Sequence, residues 1–192
     1  MKNRFSLLML GLIVFALSAC KDDGAAPTII LRHDAANLAA PSLPGGTYEA
    51  SARFTTTELT DAAGGTLEAV EVYIQDLPNT ASIKIYTSNG GLVPTNLVYE
   101  ASIVSGLQSN AWNTHELTSD VTVDGNADLW VTVAFSHVSD QRTIGCDPGP
   151  AVVNGDWLFD SVDNQWQPLR IRTNGSIDIN WNIRARVLGL EN

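Results

Sequence analysis

The sequence contains only two cysteines and three histidines in 192 residues, and this scarcity limits its chemistry. The histidines are isolated, and the His115-Glu116 pair lacks the second histidine of a zinc-binding helix. A Gly-x-Ser-x-Gly nucleophile elbow is also absent. Acidic residues are plentiful, and a glycosidase needs only two carboxyl groups at the right separation. We therefore expect a protein without catalytic activity, and an enzyme is the less favoured alternative.

Basic residues are also few, 11 against 21 acidic residues, and the formal net charge is −10. Because nucleic acids and anionic lipid surfaces are recognised through positive charge, this balance argues against both as partners. It is compatible with a neutral glycan or with calcium.

Long apolar runs are missing except near the N-terminus. The run from Phe5 to Ala16 follows Lys2 and Arg4 and is shorter than the ~20 residues that a membrane-spanning helix needs. Leu17-Ser18-Ala19-Cys20 then resembles a lipobox, in which the peptide is cut before an acylated cysteine. We predict a lipoprotein signal peptide at residues 1–19 and lipidation of Cys20, with fatty acids such as palmitate, as the membrane anchor.

Removal of residues 1–19 leaves nine basic and 21 acidic residues and a net charge of −12. The next residues, Lys21-Asp22-Asp23, resemble the acidic export tag of surface-exposed lipoproteins in Bacteroidota. The resemblance implies an outer-membrane protein whose domain faces the medium, and a periplasmic orientation is the alternative. With Cys20 acylated, Cys146 has no partner in the chain, and we interpret it as a small buried core residue.

Residues 20–46 are rich in Pro, Gly and Ala, with one apolar cluster at Ile29-Ile30-Leu31 that is a candidate edge strand. We predict that most of this segment is a flexible tether.

From Tyr48 onward, apolar and polar residues alternate with a period of two, which is typical of half-buried strands. The longest example runs from Ile177 to Val187, with Trp181 on its apolar face, while Trp130 lies opposite the apolar face of its own strand. Asn-Gly and Asp-Gly turns separate the strands. We therefore predict an all-β domain over residues 47–190, an antiparallel jelly-roll-like sandwich of about eight strands.

The second half of the chain carries Gly145-Cys146-Asp147-Pro148-Gly149-Pro150, then Gly155-Asp156-Trp157, and finally Asn180-Trp181-Asn182-Ile183. This order resembles a β-sandwich domain of secreted and surface proteins of Bacteroidota, similar to those appended to gingipain-type proteases and adhesin-like proteins. The resemblance covers about residues 47–188. It implies a jelly-roll or carbohydrate-binding-module type of fold and a non-catalytic role in adhesion or substrate binding.

Tryptophan and tyrosine rings stack on the apolar faces of sugars, and neighbouring polar side chains bond the hydroxyl groups. The candidate ligand-binding residues lie in the loop-rich region and near it: Trp157, Trp166, Asp156, Asn164 and Asp147. The alternative is that these tryptophans cap the end of the sandwich.

A weak calcium signal is present at Asp124, Asn126 and Asp128, whose spacing is that of the start of an EF-type loop. Leu129 replaces the glycine at position six, and no glutamate stands at position twelve, so a tight turn before a strand explains the segment as well.

These features together predict a cell-envelope lipoprotein that recognises a glycan or another surface polymer. The alternative is a structural or adhesion lipoprotein that contacts protein partners and holds no small ligand. Exposure of Trp157 and Trp166 would favour the first function, and burial of both, with a flat apolar patch elsewhere, would favour the second.

Overall fold

The structure is a computed structural model that describes residues 26–190. The predicted signal peptide, lipidated Cys20 and the Lys21-Asp22-Asp23 tag lie outside this range. Among the described residues, no helix is long and apolar enough to span a membrane.

Two antiparallel sheets pack face to face, which confirms the predicted β-sandwich. The described residues form ten strands, two more than expected: β1 (Thr28–Arg32), β2 (Gly46–Phe54), β3 (Thr66–Ile74), β4 (Thr80–Ser88), β5 (Asn96–Ser102), β6 (Ala111–Thr122), β7 (Asp128–His137), β8 (Trp157–Asp160), β9 (Gln165–Pro168) and β10 (Ile183–Leu188). A single-turn helix, α1 (Leu169–Arg172), follows β9. The first sheet has the order β1-β10-β3-β6, and the second has the order β5-β4-β7-β2-β8-β9.

The core lies between the two sheets and consists of the residues that alternate inward along the strands. Ala50, Ala52 and Phe54 of β2 and Trp181 are almost completely buried, as the period-two pattern predicts. Cys146 is also buried, in agreement with a structural cysteine.

The tether prediction is wrong from Thr28 onward, because residues 28–46 are part of the folded domain. β1 forms an antiparallel ladder with β10, so the Ile29–Leu31 cluster is an edge strand as expected. Further along, Ala39 and Leu43 form backbone bridges to Cys146 and Gln141. The Asp34 side chain is buried and accepts hydrogen bonds from Arg184 and Asn182. These contacts tie a Pro- and Gly-rich segment to the sandwich, and local composition does not reveal them.

The predicted long strand from Ile177 to Val187 forms only from Ile183. The preceding residues bond mainly to loops: Trp181 N donates to Gly155 O, and Asn182 N donates to Gly145 O, both at 2.9 Å. One bond to a strand remains, in which Asn182 O accepts from Tyr73 N of β3 at 3.1 Å. Asn180 and Asn182 direct their side-chain amides to Asp147 and Asp34. These polar bonds hold the segment out of a regular ladder despite its alternating pattern.

Candidate functional site

Four aromatic side chains lie together on the outer face of the second sheet. Leu158 of β8 points into the core, so its neighbours Trp157 and Phe159 point outward. Phe159 pairs with Trp166 of β9, and the two rings are 5.7 Å apart. The centroid of Trp130, on β7, is 5.1 Å from that of Trp157 and 5.6 Å from that of Trp166. We call Trp130, Trp157, Phe159 and Trp166 the aromatic cluster.

The inner half of the aromatic cluster is rigidly held. Trp130 is fully buried, and its indole N–H donates to Ser88 Oγ at 2.9 Å. The Arg53 guanidinium lies 5.3 Å from the centroid of the Trp130 ring and donates to Asp128 Oδ2 at 2.6 Å. A buried arginine is tolerated only when it is paired, so Asp128 fixes the position of Arg53. The fixed guanidinium in turn restrains one side of the Trp130 ring.

The outer half of the aromatic cluster, Phe159 and Trp166, is half-buried and keeps ring surface open to solvent. Edge-to-face contacts within such clusters add about 0.5–1.5 kcal/mol per pair beyond their area burial. The two half-buried rings therefore rest on a preorganised base.

A group of polar side chains adjoins the aromatic cluster. Glu49 is the register partner of Phe159, so the two side chains stand next to each other on the same face. Glu49 Oε1 accepts a hydrogen bond from Lys84 Nζ at 2.7 Å, and Oε2 accepts one from Tyr86 Oη at 2.9 Å. We call Glu49, Lys84 and Tyr86 the polar cluster.

The polar cluster is half-buried, and its charges are balanced within it. Burial raises the pKa of Tyr86, and the negative charge of Glu49 raises it further. The phenol therefore stays neutral and keeps its proton in the hydrogen bond to Glu49. The outer face of the second sheet thus combines ring surface with polar groups at fixed positions. Such a surface suits a flat molecule that has both C–H and hydroxyl groups.

The structure brings together two of the five residues predicted to bind a ligand, Trp157 and Trp166, and places the other three outside the aromatic cluster. Trp166 lies on the sheet face described above, and Asn164 is exposed in the β8–β9 turn with φ of 55°. Trp157 is only 5% exposed, so it supports the aromatic cluster from below and offers no stacking surface of its own. Asp147 and Asp156 are buried on the loop side, so these two are corrected to structural residues.

Asp156 is inaccessible to a ligand because its carboxylate is already occupied. Its Oδ1 accepts from Arg170 Nη1 at 2.8 Å, and its Oδ2 accepts from the Arg170 backbone N–H at 2.9 Å. Burial raises the pKa of this carboxyl, and Arg170 opposes the shift.

Asp147 accepts four N–H groups and holds three loops together. Its Oδ1 accepts from the backbone of Gly149 and Asn180, and its Oδ2 accepts from the backbone of Ala35 and the amide of Asn180. The distances are between 2.8 and 3.0 Å. Burial by itself raises the pKa of Asp147, but these donors together bring it below its ordinary value. The carboxylate is therefore ionised and internally satisfied.

The calcium site considered at residues 124–128 does not form. Asp128 is buried and points to Arg53, whereas Asp124 Oδ1 accepts the backbone N–H of Asn126 at 2.9 Å. The segment is a tight turn of the kind that aspartate stabilises. Within residues 26–190, no group of three or more His, Cys, Asp or Glu side chains is arranged to hold a metal ion.

Most of the site residues were missed at the level of sequence. Glu49 and Lys84 are visible there only as polar positions between apolar ones, and β8 and β9 are too short to give an alternating signal. The strand order β4-β7-β2-β8-β9 brings these residues onto one face, and no local pattern carries that order.

These features define a two-sheet, antiparallel β-sandwich domain, and comparison with solved structures finds the same kind of fold. The chain is similar to the clostridial cysteine protease Cwp84 after propeptide cleavage, with a TM-score of 0.59, 11% identity, and coverage of 85% of this chain and 40% of that one. It is also similar to the cysteine protease and lectin-like domains of Cwp84, a surface layer associated protein of Clostridium difficile. In that comparison the TM-score is 0.54, the identity is 12%, and the coverage is 85% of this chain and 36% of the other.

The chain thus spans less than half the length of either matched chain. At this identity the likeness concerns the fold alone. No protein family matches the sequence, and no curated protein matches it.

Proposed function

We propose that this protein is a non-catalytic, lipid-anchored binding protein of the bacterial cell envelope that holds a neutral glycan on the outer face of its six-stranded sheet. The observation that carries the proposal is the contact between the aromatic cluster and the polar cluster. Phe159 and Trp166 offer ring surface for stacking. Glu49 lies beside Phe159 and accepts hydrogen bonds from Lys84 and Tyr86, so the polar cluster adjoins the rings.

Charge supports a neutral ligand. The mature chain carries a net charge of −12, which repels polyanions at a distance. Lys84 is neutralised by Glu49 at 2.7 Å and lies 3.9 Å from Glu100, so the face presents no net positive charge. A neutral sugar chain exchanges hydrogen bonds with such a pair without needing to displace a counter-ion.

The experiment is a polysaccharide and glycan array probed with the purified protein and with Trp166→Ala. We expect the variant to lose at least about tenfold in affinity, since the aromatic anchor of a binding surface contributes more than ~1.4 kcal/mol. The matched control is Trp112→Ala, because Trp112 is a tryptophan on the opposite sheet and is 37% exposed. Thermal unfolding of both variants establishes that they are folded.

A second variant, Lys84→Gln, tests the polar cluster with little change in volume. It should weaken binding and leave folding intact. Binding that resists both Trp166→Ala and Lys84→Gln, or an array without signal from folded protein, would remove the sheet face as the glycan site.

The alternative, a protein partner without a small ligand, is favoured by the outer face of the first sheet. Trp112 packs edge-on against Tyr73, and the Arg184 guanidinium lies 4.0 Å from the centroid of the Trp112 ring. A Trp at the surface with an Arg against its ring is typical of the anchor residues of protein interfaces. Loss of a surface-protein interaction in Trp112→Ala and not in Trp166→Ala would select this alternative.

The lipid anchor rests on the N-terminal sequence and needs its own test. Cys20→Ala should abolish labelling by a palmitate analogue and move the protein from the membrane fraction to the soluble fraction. Protease treatment of intact cells distinguishes an outward-facing domain, which is digested, from a periplasmic one, which is protected. Persistent membrane association of Cys20→Ala would contradict lipidation as the anchor.

A further inference from the structure

A second concave site lies at the lateral opening of the sandwich, between the edge strands β5 and β6. It is a cleft of about 230 Å³. β5 is the edge of the six-stranded sheet opposite to β9, and the cleft opens between the two sheets, next to the core residues Val72 and Ile103. The aromatic cluster lies on the outer face of the six-stranded sheet, on β7, β8 and β9, and shares no residue with the lining of the cleft. The two sites are therefore distinct.

The cleft exists because the chain crosses from one sheet to the other here. Residues 103–110 form an arch that includes the 3₁₀ turn Val104–Gly106. One end of the arch is held by Ile103 N, which donates to Ala81 O at 2.9 Å. At the other end, Asn113 Oδ1 accepts from Gln108 N at 2.7 Å, and Asn113 Nδ2 donates to Gln108 O at 2.9 Å. An arch secured at both ends keeps the cleft open.

The floor of the cleft is apolar and its rim is polar. Val72, Ile103 and Leu107 form the floor, and the rim includes Ser105 and the ring of His115. Val72 and Ile103 belong to the buried core, so the floor is a fixed surface. An apolar floor with a few polar groups around it is the usual form of a small-molecule site.

His115 is held in place by Tyr99. The Tyr99 hydroxyl lies 2.7 Å from His115 Nε2 and accepts the Thr118 backbone N–H at 3.2 Å. These hydrogen bonds fix the orientation of the imidazole ring, whichever of Tyr99 Oη and His115 Nε2 carries the shared proton. Burial lowers the pKa of His115, and Glu116 opposes the shift only in part. The ring is therefore neutral at about pH 7.

We infer that this cleft binds a neutral, polyhydroxylated small molecule of about the size of one sugar ring. The cleft volume of about 230 Å³ is several times the ~30 Å³ that one water molecule occupies in the liquid, so the cleft has room for a small molecule. The lining residues are apolar, hydroxylated, amide-bearing or, in His115, neutral, so nothing in the cleft compensates a charged ligand. The apolar floor fits the C–H face of a ring, and the rim groups fit its hydroxyls. This inference does not rest on the glycan site of the sheet face.

The test is methyl NMR of the purified protein titrated with glucose, galactose and N-acetylglucosamine, with glucuronate and glucosamine as charged counterparts. The titration runs to ~50 mM, at which a site with a Kd of about 1 mM is nearly saturated. We expect the methyl signals of Val72, Ile103 and Leu107 to shift with at least one neutral sugar and to remain unchanged with the charged ones.

Three variants localise the effect. Ser105→Phe fills the cleft and should abolish the shifts, whereas Ser109→Phe places the same ring on the same arch outside the lining and should preserve them. Trp166→Ala should preserve them as well, which separates this site from the sheet face. The inference is overturned if no neutral sugar shifts these methyl signals, if the charged sugars shift them equally, or if the shifts survive in a folded Ser105→Phe protein.

Discussion

Replacement of Asp147 by asparagine tests whether this residue is a structural pin of the loops. In the native protein, two N–H donors converge on each carboxylate oxygen. An asparagine keeps one oxygen and places an NH2 group against the two remaining donors. Two charge-assisted hydrogen bonds are lost, and their donors stay buried.

The free energy of unfolding should fall by about 3–4 kcal/mol. A hydrogen bond to a charged group contributes ~1.5–3 kcal/mol, and relaxation of the loops recovers part of the two that are lost. For a domain of this size the midpoint of thermal unfolding should fall by roughly 10 °C. Urea titration and calorimetry measure both quantities. The matched control is Asp178→Asn, because Asp178 is exposed and accepts only the Ala151 N–H, so it should change little.

The pH dependence gives an independent check. The pKa of Asp147 is lower in the folded protein than its ordinary value of 3.8. A carboxyl with a depressed folded pKa stabilises the protein fully above its unfolded pKa and loses this contribution as the pH falls through the folded value. The difference between wild type and Asp147→Asn should therefore be constant above about pH 5 and shrink in stronger acid. A cost below ~1 kcal/mol, equal to that of the control, would show that the four N–H groups do not depend on this carboxylate.

Three other substitutions or modifications test the packing. Asp128→Ala leaves the Arg53 guanidinium buried without its partner and should lower the free energy of unfolding by about 3–5 kcal/mol. The double variant Asp128→Leu with Arg53→Met should recover most of this loss in urea titration. If the single and the double variant lose the same free energy of unfolding, the ion-pair argument is refuted. Gly149 has φ of 72° and a carbonyl oxygen where a Cβ would stand, so Gly149→Ala should lower the melting temperature well below that of Gly175→Ala, whose φ of 80° faces open space. Burial raises the pKa of the Cys146 thiol to about 11, and Asp147 adds to the shift, so peptide mapping should find iodoacetamide on Cys146 only after unfolding.

The faces of the strands were readable from the sequence. Alternation placed Ala50, Phe54 and Trp181 in the core and Trp130 on the other face of β7, and the structure confirms each. The reason is local: successive side chains of a strand point to opposite sides, so the apolar set defines the buried side.

Local alternation failed where polar side chains make the decisive contacts. The side-chain bonds of Asn180 and Asn182 turn a well-alternating segment into a loop. Strand β6 has the polar residues Asn113 and His115 on its inner side, so it lacks the apolar alternation that would have predicted it. In both cases the partner is distant in the chain, and the energy of the contact is absent from any window of neighbouring residues.

The sequence by itself determined the acidic charge, the all-β class and the inward face of most strands, because each depends on composition or on a period of two. Only the tertiary structure decided which strands are neighbours. A backbone ladder pairs almost any two strands, so the order depends on packing across the whole domain. That order buried Trp157, left Trp166 half-buried, and brought Glu49 beside Phe159. It also placed β5 and β6 at the lateral opening where the cleft lies.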